Sequence, residues 1–368
     1  MKIVLTGAGG FLGWHTRLRL HALTDHEVVP VTRDSWAHLP QVVADADAVI
    51  HIAGVNRGSD GEVQRGNPKL ADDVAGAIQA GGRPVRIVYA NSIQAELDNI
   101  YGRSKAEAAD RLRAAAQATG GQLVDVLLPN IFGEHGRPQY NSFVATFVDF
   151  VIRGEQPTIA DRPVPLLHVQ QAAQALIDGL DATAARIDPP AESVSVQEVY
   201  DLLLEFAASY ATGEFPDLST PFRIDLFNTY RSALFPGNLP IALTPHADAR
   251  GRFVETVRCR GGEGQTSFST TLPDITRGEH YHLSKIERFA VIQGAARISL
   301  RKMFSADVID FDVSGERPMA IDMPMGWVHN ITNTGSEVLL TQFWSHELFR
   351  PDAPDTFFEP VRPAGGGQ

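Results

Sequence analysis

The stretch Lys2–Gly13, KIVLTGAGGFLG, decides the reading of the larger part of the chain. Ile3, Val4 and Leu5 form an unbroken apolar, partly β-branched run, the pattern of a buried strand. Gly7, Gly10 and Gly13 follow at GxxGxxG spacing, and Trp14-His15-Thr16-Arg17-Leu18-Arg19-Leu20 continues as a helix. A strand, a glycine turn and a helix in this order build a seat for a pyrophosphate. Backbone N–H groups at the helix start face the anion, and the missing β-carbons let it come close. Gly7, Gly10, Phe11, Leu12 and Gly13 are therefore expected to hold a dinucleotide.

The residues that follow agree with that seat. Glu27–Thr32 reads as a second strand ending at Arg33-Asp34. In this architecture that position lies near the adenosine ribose, where Arg33 suits a 2′-phosphate and favours NADPH over NADH. Asp47–Ala53, DAVIHIA, is another buried strand. Ala53 and Gly54 beyond it are small enough for a cofactor to pass, and Asn56 and Arg57 have polar reach toward a substrate or phosphate. A helix is expected over Ala71–Ala80 and a strand over Val85–Tyr89, ending near Ser92. Tyr101-Gly102-Arg103-Ser104-Lys105 then places a phenol and an ammonium at i and i+4 on one helical face. Near a nicotinamide ribose, Lys105 would favour the tyrosinate, and Tyr101 could move a proton at a substrate oxygen. Ser92 would hydrogen-bond the substrate carbonyl. Asn130, Arg137 and Asn141 follow the next strand as candidate contacts to a nucleotide-linked substrate. His168 reads as a junction residue with a structural role.

Pro236, Gly237, Pro240 and Pro245 mark a linker, so domains are expected over 1–243 and 244–368. The second has a different rhythm. Short strand-like pieces, among them Phe253–Cys259, Gly264–Ser269, Ala296–Arg301 and Val338–Trp344, are separated by glycine and proline, as in an antiparallel sandwich or barrel. Within it stand His280-Tyr281-His282, Glu287 and, beyond the turn Pro324-Met325-Gly326, His329. Three imidazoles and a carboxylate suit a divalent ion, zinc first, with iron, nickel or manganese open. The competing reading is a polar pocket that binds substrate directly. His246, Asp248, Tyr281 and Lys302 are candidate acid–base groups.

Bulk properties bound the partners. The chain has 368 residues, enough for two domains, and its formal net charge of −12 argues against broad nucleic-acid or anionic-membrane binding. Cys259 is the single cysteine, which excludes an intrachain disulfide and fits a reducing, cytoplasmic setting. Neither a signal peptide nor an apolar run of about 20 residues is expected.

The first half, by TGAGGFLG from Thr6, HIAGVNR from His51, SIQ at Ser92 and YGRSK from Tyr101, resembles the extended short-chain dehydrogenase/reductase family. The second half resembles a cupin. Together with GRPQYNS within Pro129–Phe143, DARGRFVE from Asp248 and PDAPDTFFE from Pro351, the chain resembles two-domain capsular-polysaccharide enzymes of the CapF/WbjC type. The resemblance implies a Rossmann-type α/β domain followed by an all-β cupin (double-stranded β-helix, jelly roll). It implies a cupin that epimerises C3 of a UDP-2-acetamido-2,6-dideoxy-4-hexulose and a reductase that reduces the C4 ketone with NADPH, giving a UDP-6-deoxy-talosamine. It also implies Tyr101 and Lys105 as the catalytic pair, a metal on His280, His282, Glu287 and His329, and a homodimer. Two other readings stay open: a 4-ketoreductase of another nucleotide-linked deoxysugar with a non-catalytic, dimerising cupin, and a non-enzymatic sensor of NADPH. Against a dehydratase, Ser92 is followed by Ile93 and Gln94 rather than an Asp-Glu pair.

Overall fold

The computed structural model describes residues 1–363. The chain divides into two compact units, one of residues 1–146 and 159–197, the other of residues 147–158 and 198 onward.

The first unit is built on a six-stranded parallel sheet. Its order is Glu27–Val31, Lys2–Thr6, Ala48–His51, Arg86–Ser92, Gln122–Leu128, Arg186–Ile187. Both faces are covered, which is why its strands read as continuous apolar runs. Successive side chains alternate between two cores: Ile3, Leu5, Ile50 and Val88 pack on one face, Val4, Val49, Ile87 and Tyr89 on the other. Strand order reverses between Lys2–Thr6 and Ala48–His51, and a ligand crevice belongs at the carboxyl ends of strands at such a switch point. A smaller sheet joins Asn130–Phe132, Pro163–His168 and Glu192–Ser195.

The helix expected over Ala71–Ala80 runs from Asp60 to Gly81 with Pro68 inside it. It is opened by a capping box in which Ser59 and Glu62 satisfy each other's backbone N–H groups.

The second unit carries two five-stranded antiparallel sheets. One is ordered Ile241–Ala242, Met319–Met323, Glu287–Gln293, Leu339–Ser345, Gln265–Thr271. The other runs Val308–Ser314, Ala295–Lys302, Trp327–Asn333, Thr276–Tyr281, Phe357–Phe358. Phe289, Ile321 and Leu339 of the first sheet and Ile298, Leu300 and Ile331 of the second share one core. The piece expected as one strand, Phe253–Cys259, is instead the hairpin strand Gly251–Val254 and a separate Cys259–Gly261.

Helical residues from Glu198 onward group with this β-rich unit, so the division falls earlier in the chain than the proline-rich linker at 243/244. A buried ionic knot gives the reason. Arg288 makes a bidentate pair with Asp322 (2.6 and 2.8 Å), and Tyr210 at a helix end donates to the same carboxylate at 2.8 Å. Phe215 stacks on Trp344 with ring centroids 4.3 Å apart.

Candidate active site and metal cluster

The glycine turn has the shape of a phosphate cradle. Gly7 adopts φ +71°, and a β-carbon there would lie 2.8 Å from the Ala53 nitrogen. A β-carbon on Gly13 would lie 2.0 Å from the Gly7 carbonyl oxygen, so the helix Phe11–Leu23 can approach the turn only with glycine at that position. Gly10 precedes the helix in extended conformation, and no side chain caps the first turn, which leaves its N–H groups for an anion. Phe11 is half-buried at the helix start, while Leu12 lies in the core and offers a ligand only its backbone. Ala8 N–H donates to the Val31 carbonyl at 3.2 Å, which brings the end of the second strand, and exposed Arg33 just beyond it, to the same turn. These residues fit a dinucleotide.

The third strand's end is fixed from below. Thr6 Oγ1 accepts from Ile52 N (3.2 Å) and Ala53 N (3.3 Å) and meets His51 Nδ1 at 2.7 Å. Asn67, buried on the helix Asp60–Gly81, accepts from Val55 N and donates to Val55 O, both at 2.9 Å. Its amide also donates to Ser104 Oγ at 3.0 Å. The Ala53–Arg57 loop is thereby tied to the helix Ile100–Ala118 that carries Tyr101 and Lys105.

That helix starts at Ile100, capped by Asn99, whose side chain accepts from Gly102 N at 2.8 Å. A β-carbon on Gly102 would lie 2.0 Å from the Gln94 carbonyl, so the glycine lets the Tyr101 turn pack against the segment that follows Ser92. Ser92 ends the strand Arg86–Ser92, and its Oγ accepts from Gln94 N at 3.2 Å, which leaves the hydroxyl proton for an acceptor. Lys105 is buried. Its Nζ donates to the Ala90 carbonyl at 2.6 Å and lies 4.1 Å from the Tyr89 ring centroid. Burial lowers its pKa to about 7, against an opposing pull from Asp125. Burial also raises the Tyr101 phenol to about 12. At neutral pH the phenol is therefore in its protonated form, the form that can donate a proton.

The polar residues expected at the substrate side divide. Arg57 Nε donates to Asn141 Oδ1 at 3.2 Å, and the guanidiniums of Arg57 and Arg137 lie 6.0 and 5.3 Å from the Tyr140 ring centroid. Arg57, Arg137 and Asn141 therefore share one exposed cluster with Tyr140, next in chain to exposed Asn56. Asn130 does not join them, since its amide donates to the Pro165 carbonyl at 3.3 Å.

Beneath the loop that carries Arg137 lies a buried network. His168 Nε2 is 3.2 Å from Glu134 Oε2, and His15 Nε2 donates to the Glu134 carbonyl at 2.8 Å. Burial opposes the Glu134 charge, but His168 and His15 outweigh it and hold the carboxyl at about 2. His168 thus anchors this loop, in keeping with a structural role.

In the second unit His280, His282, Glu287 and His329 come together, their ligand atoms all within 4.8 Å of one another. His280 and His329 are register partners across two strands, and His282 follows the strand end. Among the described residues, the buried Nε2 atoms of His282 and His329 have no hydrogen-bond partner, although Glu287 Oε2 lies 2.9 and 3.6 Å away. Burial and the two neighbouring imidazoles lower His280 to about 3, which keeps it neutral. Glu287 stays charged: burial opposes it, and His282 and His329 override. Three imidazoles and one carboxylate, with buried nitrogens gathered at a common point, suit a divalent ion. His246 and Asp248 instead lie on the exposed hairpin Pro245–Val254, where Asp248 is paired with Arg250.

Comparisons with known proteins agree with both halves. Residues 3–186 match the NAD dependent epimerase/dehydratase family, and residues 246–357 match the polysaccharide biosynthesis C-terminal domain. The chain is 34% identical over 366 residues to the UDP-2-acetamido-2,6-beta-L-arabino-hexul-4-ose reductase of Pseudomonas aeruginosa, covering 97% of this chain and 98% of that one. The capsular polysaccharide assembling protein CapF of Staphylococcus aureus superposes with a TM-score of 0.64 at 33% identity, over 98% of this chain and 100% of the other. A CapF structure with the inhibitor 3-isopropenyl-tropolone gives a TM-score of 0.58 at 30% identity, with the same coverage. The chain belongs to the CapF/WbjC family. As a member of it, the chain is an NAD(P)-dependent oxidoreductase.

Four residues that shape this CapF/WbjC-family site have no role assigned to them in the reading of the sequence. Asn67 and Gly102 set the helix that carries Tyr101 and Lys105 against its neighbours, Tyr140 centres the arginine cluster, and Glu134 anchors the loop beneath it. Of these, Gly102 stands inside the YGRSK motif and could have been read as a close-packing position.

Proposed function

We propose that the first unit reduces the C4 ketone of a UDP-linked 2-acetamido-2,6-dideoxy-4-hexulose with NADPH, and that the second unit epimerises C3 of that sugar beforehand. Near-complete alignment with the Pseudomonas reductase carries this reading, because it spans the Tyr101/Lys105 site and the His280–His329 cluster alike. The nicotinamide supplies the hydride when bound. Gly7, Gly10, Gly13, Ala53 and Gly54 give the dinucleotide room, and exposed Arg33 favours a 2′-phosphate.

Ser92 holds the ketone oxygen through its hydroxyl proton. Tyr101, protonated at neutral pH, transfers its proton to that oxygen as negative charge develops there, so C4 gains one hydrogen and its oxygen another. The tyrosinate left behind regains its proton from solvent, and Lys105, whose pKa burial lowers to about 7, counters its charge in the protonated form. Asn56, Arg57, Arg137 and Asn141 are the groups to hold the uridine diphosphate, with Tyr140 as an aromatic platform among them.

The second unit is read as a cupin whose two sheets enclose the His280, His282, Glu287 and His329 set. Zinc is the first choice for that donor set and would supply Lewis-acid polarisation of a ketone. C3 lies beside the C4 ketone, so its proton is acidic enough to be removed and returned on the opposite face. The family's homodimer and a cytoplasmic setting belong to the same proposal.

Product analysis tests it. With the 4-keto UDP-sugar, NADPH is expected to be consumed one for one. In deuterated water, Tyr101→Phe is expected to incorporate deuterium at C3 while forming no alcohol at C4. A wild-type protein that leaves both the sugar and NADPH unchanged would overturn the proposal. Deuterium uptake that is abolished by Tyr101→Phe but survives His280→Ala would move epimerisation to the first unit.

A further inference from the structure

The segment Asp355–Arg362 touches the strand Thr276–Tyr281 at Glu279–Tyr281 and the Leu283–Lys285 loop just beyond it, so it flanks two of the cluster's residues, His280 and His282. We propose that this segment is a clamp that sets the metal affinity of the cluster, with Asp355 and Glu279 as its positioning residues. The proposal rests on the metal reading above.

Four residues, Leu283 to Ile286, link His282 to Glu287. Asp355 holds three of their backbone N–H groups: Oδ1 accepts from Leu283 and Oδ2 from Ser284 and Lys285, each at 2.8 Å. Oδ2 also accepts from Ser284 Oγ at 2.9 Å. The Asp355 carbonyl meets His282 Nδ1. A carbonyl can only accept, so Nδ1 carries a proton, which leaves Nε2 as the nitrogen that can ligate an ion at the cluster. One residue therefore fixes the spacing of two ligands and the tautomer of one.

The other end of the clamp acts on His280. Glu279 sits at φ +61° in a bulge between Gly278 and His280, and that bulge puts His280 opposite His329. A non-glycine residue holds such a conformation only where its surroundings insist on it. Here they do. Glu279 Oε2 accepts from Val361 N at 2.5 Å, Oε1 accepts from Asn330 Nδ2 at 2.7 Å, and the Glu279 carbonyl accepts from Glu359 N at 3.0 Å. Phe357 and Phe358 pair with Tyr281 and His280 as a short edge strand. Arg301 fastens the segment by donating to the carbonyls of Val361 (2.9 Å) and Pro360 (2.8 Å). Ligands pinned in this way do not have to be ordered at the moment of binding.

The test uses the full chain, stripped with chelator and reloaded with Zn²⁺ in competition with a chromophoric chelator. Wild type is expected to take up one zinc per chain. Asp355→Ala is expected to weaken uptake by about 10- to 100-fold and to change the visible bands of the Co²⁺-loaded protein, which report ligand geometry. Glu279→Ala is expected to act in the same direction. NADPH binding by the first unit serves as the folding control and is expected to be unchanged. If Asp355→Ala does not fold, Asp355→Asn, which keeps one acceptor oxygen, is expected to fall between wild type and alanine. Zinc affinity and Co²⁺ bands like wild type in the folded variants would overturn the clamp alone. A wild type that takes up neither ion would overturn the metal reading and the clamp with it.

Discussion

The two glycines Gly13 and Gly76 give a sharp test of the cofactor cradle. Both stand in helices and neither has positive φ, so alanine is allowed by the backbone at each. They differ in what a β-carbon would meet. At Gly13 it would lie 2.0 Å from the Gly7 oxygen, 2.7 Å from the Gly7 carbonyl carbon and 2.9 Å from the Ala8 Cα, all backbone atoms. At Gly76 no such neighbour among the described residues lies within 4 Å. Gly76→Ala is therefore expected to stabilise the first unit by about 0.5–1 kcal/mol, the ordinary helical preference for alanine. Gly13→Ala gains the same preference but must push the helix off the glycine turn by more than an ångström. Overpacking of this kind costs about 1–3 kcal/mol, and since the helical preference is common to both, the two variants should differ by that amount. Urea unfolding of the cofactor-free protein, followed by a probe in the first unit, measures that difference. Titration with NADPH reads the second consequence, an affinity loss of about tenfold for each 1.4 kcal/mol of lost complementarity. Equal midpoints and equal NADPH affinity for the two variants would refute the claim that Gly13 sets the distance between helix and turn.

Three further outcomes follow from the geometry. Tyr101→Phe should lower kcat/KM for ketone reduction by about 10²–10⁴-fold while NADPH binding is retained, as steady-state kinetics and a binding titration would show. Lys105 has a folded pKa of about 7 against an ordinary 10.5, so between those values the unfolded chain holds a proton that the folded protein has released. Stability of the cofactor-free protein should therefore rise with pH from about 7 toward about 10, by an amount on the order of 3 kcal/mol. Lys105→Met should flatten that rise in unfolding curves measured across the range. Asp322→Ala leaves Arg288 charged and buried and removes the acceptor of Tyr210, so it should destabilise the second unit by about 3–5 kcal/mol. Calorimetry would register this as a fall in the transition of the second unit.

How much of this was legible in the sequence depends on whether a residue's partner is near in the chain or far away. Strands buried on both faces announce themselves as apolar runs, so Ile3–Leu5 and Val49–Ile50 were readable, and so was the switch-point crevice they imply. The helix Asp60–Gly81 was readable only from Ala71. Gly61, Gly66 and Pro68 in its first half imitate a loop, although the Ser59/Glu62 capping box marked its true start. Gly66 is there for packing, since a β-carbon on it would lie 2.5 Å from Val55 Cγ2. The residues proposed to do chemistry, Tyr101, Lys105 and the His280–His329 set, have side chains whose type and spacing are themselves the signal.

The residues that aim them do not. Asn67, Glu279 and Asp355 are polar residues beside loops or strand ends, indistinguishable by pattern from solvated ones. Their partners are peptide groups or amides 12 to 82 residues away in the chain. A backbone N–H has the same chemistry at every position, so nothing in the composition of Leu283–Lys285 indicates that a carboxylate from the far end of the chain will cap it. The same holds for the Tyr101 phenol. The four-residue spacing to Lys105 suggests a charge effect, but the depth at which the sheet and helices bury the phenol governs its acidity, and depth is a property of the assembled unit. What the sequence leaves unsaid here is which groups are dry, and burial is what raises the Tyr101 phenol further above neutrality, lowers Lys105 and shields the Nε2 atoms of His282 and His329 from solvent.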